Sequence, residues 1–304
     1  MNECEFYDDR GTIDRWFDES EGVIFRSQKH YKSLGMTMKY LNDYQRNPFP
    51  ITIKTKYPDG QISCTIDATQ FAEMQASESI IWCNLESYED LFYLMSFAEA
   101  ISNYTHSNNV KIYIPCLFGQ RSDRRFFGKL NSFDLKVIAR CINSCNFANV
   151  YIFDPHSDVS LALIDRSVRV PPNREVENSV IRLSRHLQSS FSEIVLVSPD
   201  AGAYKKTYGI ADDLELDMIA SNKVRRDNDI HINVSGDVID KNLLIVDDLA
   251  DGGGTFKLLS KELKHMGAKT VSLYVSHGLF TKGFDFPDLD AIFIGDTGKV
   301  LIKK

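Results

Sequence analysis

Short aliphatic runs recur along this chain, and between them apolar residues return every three or four positions. The runs read as buried strands and the intervening stretches as amphipathic helices; their alternation marks βαβ units on a mostly parallel sheet. Strands are predicted at residues 51–54, 62–66, 79–83, 110–114, 149–153, 193–197, 242–246, 270–275 and 291–294, and helices at 89–104, 132–145, 175–189 and 255–266. In the first helix Leu91, Leu94, Met95, Ala98 and Ile101 share a face, and Gly267 is a stop signal after the last.

Several predicted strands run directly into polar residues. Residues 115–125 follow one, Asp154 and His156 the next, then Ser198 to Asp200, Asp247 with Asp248, and Ser276 with His277. One strand ending in an acid is unremarkable, but five predict a ligand cleft along the carboxyl edges of two sheets, where open parallel sheets bind their ligands. The most informative stretch is NLLIVDDLADGGGTF at 242–256. Asp247 and Asp248 can accept hydrogen bonds from the two vicinal hydroxyls of a ribose. Asp251, Gly252, Gly253, Gly254 and Thr255 form a turn of bare amides at a helix start, which suits a phosphate. Alone, a DD or a GGG is more often an ordinary strand-to-helix turn; together after an aliphatic run they point to a phosphoribosyl ligand. No Walker lysine follows, so this is not a P-loop.

A length of 304 residues favours two domains. The Pro171–Pro172 interruption within 158–174 suggests a division into 1–160 and 161–304. A formal net charge of −7 argues against nucleic acid as a partner. Six scattered cysteines without a Cys-x-x-Cys pair fit reduced thiols, and neither a signal segment nor an 18-residue apolar run is visible. The expectation is a cytoplasmic protein without a membrane partner (host cytoplasm, if phage-encoded).

Seven segments in order, YPDGQISCTI, IPCLFGQRSDRRF, FDPHS, VSPDAGAYKKTYGIA, NKVRR, VDDLADGGGTF and GAKTVSLYVSHGLF, resemble the ribose-phosphate pyrophosphokinase family. The resemblance implies an α/β fold of two phosphoribosyltransferase-like domains, each a mostly parallel sheet flanked by helices. It also implies transfer of the β,γ-pyrophosphoryl group of ATP to the 1-hydroxyl of ribose 5-phosphate, releasing AMP. Lys223 and Arg225 match the family's catalytic cations, and residues 247, 248 and 251–255 its acceptor loop. Tyr57, Asp59 and Gln61 match adenine contacts; Arg121, Asp123 and Arg124 match the phosphate side of the ATP site, with His156 beside it. His156 and Asp200 match metal-associated positions for Mg2+. A homo-oligomer with ATP at a subunit boundary is implied too.

Taken singly, each of these residues has a plainer reading: Lys223 and Arg225 in a solvated loop, Asp200 as a helix cap, Tyr57 as a packing residue. The chain also departs from the family pattern. Gly252 stands where a threonine is usual, Ser122 where a glutamine is, and Gln61 where a glutamate is, and there is an N-terminal extension. A glycine at 252 is expected to open the loop mouth, which would admit ADP-ribose, the acceptor used by relatives in phage NAD+ salvage. A type I phosphoribosyltransferase or a non-catalytic associated protein are the remaining alternatives.

Overall fold

A computed structural model of the chain describes residues 4–6, 36–40, 49–50, 52–66, 69, 79–106, 109–226 and 229–303. Residue 51 and most of the N-terminal extension lie outside them. The chain divides into two compact units, one of Phe25–Val170 and one joining Met1–Ile24 to Pro171–Lys304.

The unit of 25–170 is built on a six-stranded sheet. Its strands are β2 (Met36–Tyr40), β3 (Phe49–Pro50), β6 (Ser79–Cys83), β7 (Lys111–Ile114), β8 (Asn149–Phe153) and β9 (Ser167–Val170), in the order β3-β2-β6-β7-β8-β9. β6 to β9 run parallel, and β2 and β3 add an antiparallel edge. Helices α1 (Tyr88–Ile101), α2 (Asp134–Ser144) and α3 (Asp158–Leu163) belong to the same unit. Leu94, Phe97, Leu135 and Ile138 from the first two helices join Ile81, Ile112, Ile114, Val150 and Ile152 in one core.

A separate hairpin of β4 (Thr52–Lys56) and β5 (Ile62–Ile66) is pinned to the start of α1. Lys54 Nζ lies 2.6 Å from Asp90 Oδ1 and Lys56 Nζ 2.5 Å from Glu89 Oε2, while the Tyr93 hydroxyl donates to the Thr55 carbonyl at 3.1 Å. Ser87 caps α1, its hydroxyl oxygen accepting from the Asp90 N–H. Burial would raise the Asp90 carboxyl, but hydrogen bonds from Lys54 and Ser87 outweigh it and hold the group below its ordinary value.

The second unit carries an eight-stranded sheet in the order β1-β16-β15-β14-β13-β10-β11-β12. Its strands are β1 (Cys4–Phe6), β10 (Ile194–Ser198), β11 (Met218–Arg226), β12 (Asp229–Ser235), β13 (Asn242–Ala250), β14 (Thr270–Gly278), β15 (Ala291–Ile294) and β16 (Lys299–Lys303). The five from β15 to β11 are parallel, with antiparallel strands at both edges. Helices α4 (Asn173–Leu187), α5 (Ala201–Leu214) and α6 (Gly254–His265) belong to this unit. Val176, Val180, Leu183 and Ile210 pack with Leu196, Leu244, Val246, Tyr274 and Phe293. β10 is buried at every position, which explains its unbroken aliphatic sequence: a central parallel strand buries both faces.

The fold class expected from the sequence is the one observed. The first predicted domain, 1–160, meets a difference at its start: Cys4 and Phe6 pair with Lys303 and Leu301 in the sheet of the second unit. Three residues contribute too little pattern to show this, because the pairing is set by an edge some three hundred positions later.

Candidate acceptor and nucleotide sites

In the unit of 171–304, β13 outruns its neighbour. Its pairing with β10 ends at Val197 opposite Ile245, whereas its pairing with β14 continues to Ala250 opposite Gly278. Asp247 and Asp248 therefore lie inside the strand but beyond the paired length of β10. They are held by a ladder on one side and project from the sheet's carboxyl end. The Asp248 N–H donates to Asp247 Oδ1 at 2.9 Å, and Asp248 is 8% exposed. Burial, followed by the adjacent charge of Asp248, pushes the Asp247 carboxyl well above its ordinary value, with Lys206 opposing. Carboxyl oxygens at this position can accept hydrogen bonds from vicinal hydroxyls.

The chain then turns. Gly253 has φ +71° and is the N-cap of α6, whose first turn carries no side-chain cap. A Cβ on Gly253 would sit 2.4 Å from Cζ of Phe286, so the backbone conformation and the ring together require glycine here. The Ala250 carbonyl accepts from the Leu279 and Phe280 N–H groups at 2.8 and 3.1 Å. The Thr281 hydroxyl donates to Asp251 Oδ1 at 2.6 Å. At Gly252 the place of the missing Cβ lies 3.4 and 3.5 Å from Cδ and Cε of Lys282, ordinary van der Waals contact, so an exposed stem from thirty residues downstream borders the mouth of the turn without filling it.

At the end of the neighbouring strand β10, Asp200 caps α5, its Oδ1 accepting from the N–H groups of Gly202 and Ala203 at 2.8 and 3.0 Å. The plainer reading of Asp200 as a cap therefore holds, and it leaves the second carboxylate oxygen outside that cap. Lys223 and Arg225 lie two ladder positions apart on β11, opposite Ile232 and Ile230 of β12, in a β-ribbon rather than a solvated loop.

The remaining residues belong to the unit of 25–170. Tyr57, Asp59 and Gln61 sit together at the β4–β5 turn, where the Tyr57 N–H donates to the Gln61 carbonyl and the Gln61 N–H to Asp59 Oδ1, at 2.8 and 3.0 Å. Tyr57 is 47% exposed, so it is not a core residue. Arg121 and Arg124 are exposed in the segment after β7, and Arg124 approaches the Phe126 ring. His156 follows β8, its backbone N–H donating to Oε1 of Gln120 at 2.9 Å. Gln120 was not singled out by sequence reasoning. Its 2% exposure shows a buried amide tying the His156 loop to the arginine segment, and the signal for it was its place inside LFGQRSDRR.

Each in its own unit, Asp200 offers a hard carboxylate oxygen outside its helix cap and His156 an exposed imidazole, donor types compatible with a Mg2+ shell made mostly of water and phosphate oxygens.

Comparison with known proteins agrees with this geometry. A phosphoribosyl transferase domain model matches residues 170–283, the segment that carries the paired acids and the glycine turn. The chain is 31% identical over 179 residues to ribose-phosphate pyrophosphokinase 2 of Schizosaccharomyces pombe, covering 58% of this chain and 54% of that protein. It is 30% identical over 201 residues to the Mycoplasma genitalium ribose-phosphate pyrophosphokinase, covering 63% and 59%. With that of Ralstonia nicotianae the match is 26% over 269 residues, covering 87% and 81%. The chain is thus similar to ribose-phosphate pyrophosphokinases over part of their length. In the first two cases it spans less than two thirds of the relative's length. A crystal structure of phosphoribosylpyrophosphate synthetase from Mycobacterium smegmatis has the same fold, with a TM-score of 0.60 at 19% identity over 75% of this chain and 72% of that one. The paired acids and the glycine turn at 247–255 lie inside the segment that the domain model matches. Among its described residues no helix is long and apolar enough to cross a membrane.

Proposed function

We propose that this protein transfers the β,γ-pyrophosphoryl group of ATP to the anomeric hydroxyl of ribose 5-phosphate, giving phosphoribosyl pyrophosphate and AMP. The observation that carries the reading is the single strand-to-helix connection of β13 and α6. There two carboxyl groups and a capless glycine turn stand one after the other in sequence, the first suited to hydroxyls and the second to a phosphate.

In the reaction the anomeric oxygen forms a bond to the β-phosphorus, the bond from that phosphorus to the α-phosphate oxygen breaks, and the anomeric proton is lost. Asp247 and Asp248 orient the sugar through its 2- and 3-hydroxyls. The amides of 252–254 and the Thr255 hydroxyl hold the 5-phosphate, and Asp251, latched to Thr281, keeps the turn in shape. Lys223 and Arg225 offset the negative charge that builds up around the transferred group, the main requirement of phosphoryl chemistry. Tyr57 stacks on adenine, with Asp59 and Gln61 at its edge. Arg121, Asp123 and Arg124 meet the ATP phosphates. Asp200 and His156 would serve Mg2+, which when bound would supply charge neutralisation on the phosphates. By resemblance, the working form is a cytoplasmic homo-oligomer with ATP at a subunit boundary.

A second acceptor, ADP-ribose, is favoured by Gly252, which presents no hydroxyl to a terminal phosphate. ATP, magnesium and either acceptor, followed by phosphorus NMR, test both readings. A new anomeric diphosphate with stoichiometric AMP supports the chemistry, and the acceptor that yields it decides between them. Transfer of phosphoribosyl to a base without AMP release would instead indicate a phosphoribosyltransferase.

A further inference from the structure

The segment after β14 is fastened over the acceptor turn at three points. Leu279 and Phe280 donate to the Ala250 carbonyl, Thr281 donates to Asp251, and Phe286 packs against Gly253. Between these fastenings the chain makes a tight turn of its own, in which Gly283 N–H donates to the Phe280 carbonyl at 2.9 Å and Gly283 has φ +77°. Thr281 and Lys282 are the corner residues of that turn. The methylenes of Lys282 consequently lie along Gly252, with Cγ, Cδ and Cε all within 3.8 Å of where a Cβ would be.

Lys257, in the first turn of α6, is paired, its Nζ 3.4 Å from Asp285. Lys282 is exposed and has no ion pair or hydrogen bond among the described residues. An ammonium on a stem laid across a bare-amide turn is a mobile point charge within reach of whatever anion the turn holds.

We infer that Lys282 is a further acceptor-binding residue: its ammonium contacts the phosphate held at 252–255, standing in for the side chain that Gly252 lacks. The inference rests on the proposed role of the turn and names phosphate ester oxygens as the ligand chemistry. These belong to ribose 5-phosphate or to the ribose-linked phosphate of ADP-ribose. A neighbouring threonine hydroxyl would favour a compact terminal phosphate. A lysine on a flexible stem can instead follow either phosphate of a diphosphate, so Lys282 also bears on which acceptor is preferred.

The test uses the full-length protein with Lys282→Met, which keeps the stem and removes the charge, and Lys282→Arg, which keeps the charge. Binding of ribose 5-phosphate, ADP-ribose and inorganic phosphate is measured by calorimetry without ATP, and the KM values for acceptor and ATP are measured separately. The expected result is a loss of about tenfold in affinity for the acceptor and for phosphate in Lys282→Met, retained affinity in Lys282→Arg, and an unchanged KM for ATP. A larger loss for ADP-ribose than for ribose 5-phosphate identifies the diphosphate as the group followed. Gly252→Thr should crowd the stem and cost little more in the Lys282→Met background. Unaltered acceptor and phosphate affinity in Lys282→Met, an equal loss for ATP, or strictly additive losses with Gly252→Thr would overturn the inference. Lys282-dependent phosphate binding without AMP release from ATP would defeat the pyrophosphokinase reading while leaving this one standing.

Discussion

The acceptor turn and the nucleotide-side residues are built in opposite ways. Asp247 and Asp248 sit on the strand that makes the longest parallel pairing of their sheet, and Gly253 follows it at the helix start, all largely withdrawn from water, with Phe286 closing on the glycine. Tyr57 stands at the exposed turn of a two-stranded hairpin, and the arginines occupy a surface segment in which Phe127 and Leu130 are fully exposed, at 107% and 110%. A ribose phosphate is small and polar and is recognised by hydrogen-bond geometry, so its site needs a rigid frame. Adenine is recognised largely by stacking and area, which tolerates a side chain held only at its base.

The widest separation between recognition and chemistry should come from Lys223→Ala. Turnover is expected to fall by about a hundredfold or more, with the circular dichroism spectrum unchanged; near-normal turnover would remove Lys223 from the mechanism. Next is Asp247→Asn combined with Asp248→Asn, expected to weaken the acceptor by about ten- to a hundredfold in KM while ATP moves little; equal weakening of both would contradict the ribose assignment.

The same double variant has a stability signature. The folded pKa of Asp247 lies above its unfolded value, so wild type loses stability as pH rises from the ordinary carboxylate range toward that raised value. The variant lacks that loss. Its melting temperature should exceed that of wild type at pH 7, with the gap closing below about pH 4.

Gly253→Ala is expected to cost about 2 kcal/mol from left-handed backbone and the Phe286 clash, read by denaturant titration, and to loosen the acceptor as well. The smallest effect should be that of Tyr57→Ala. A severalfold rise in the KM for ATP with no change in melting temperature would match an exposed stacking residue, whereas a lost melting transition would return Tyr57 to the core.

What could be read from the chain follows the same division. β13 and the turn after it were legible because burial on both faces forces an unbroken aliphatic run, and positive φ forces glycine. The β11–β12 ribbon was not read: β11 (MIASNKVRR) has no continuous apolar run, and the apolar–polar alternation of residues 230–235 in β12 was a strand signal that the sequence reading passed over. Helix α5 was seen only as a motif, since its apolar content is diluted by the Tyr204, Lys205, Lys206 and Tyr208 series. Asp200 was weighed both as a cap and as a metal position, and spacing alone could not show that one oxygen already serves the helix. Lys282 over Gly252 was out of reach for another reason: the glycine is visible in the sequence, but what borders its empty side is a tertiary neighbour.

Strand β1 joins Cys4 to Lys303, so the sheet that bears the acceptor turn is finished by the first and last strands of the chain described here. On the ribosome, Cys4–Phe6 emerges long before Lys299–Lys303 exists to receive it. Closing that rim is thus a late event, carrying the entropy of closing a loop of about three hundred residues. Until then the outer edge of β16 offers unpaired amides to any other strand, so a nascent or amino-terminally trimmed molecule is the form most exposed to wrong pairing.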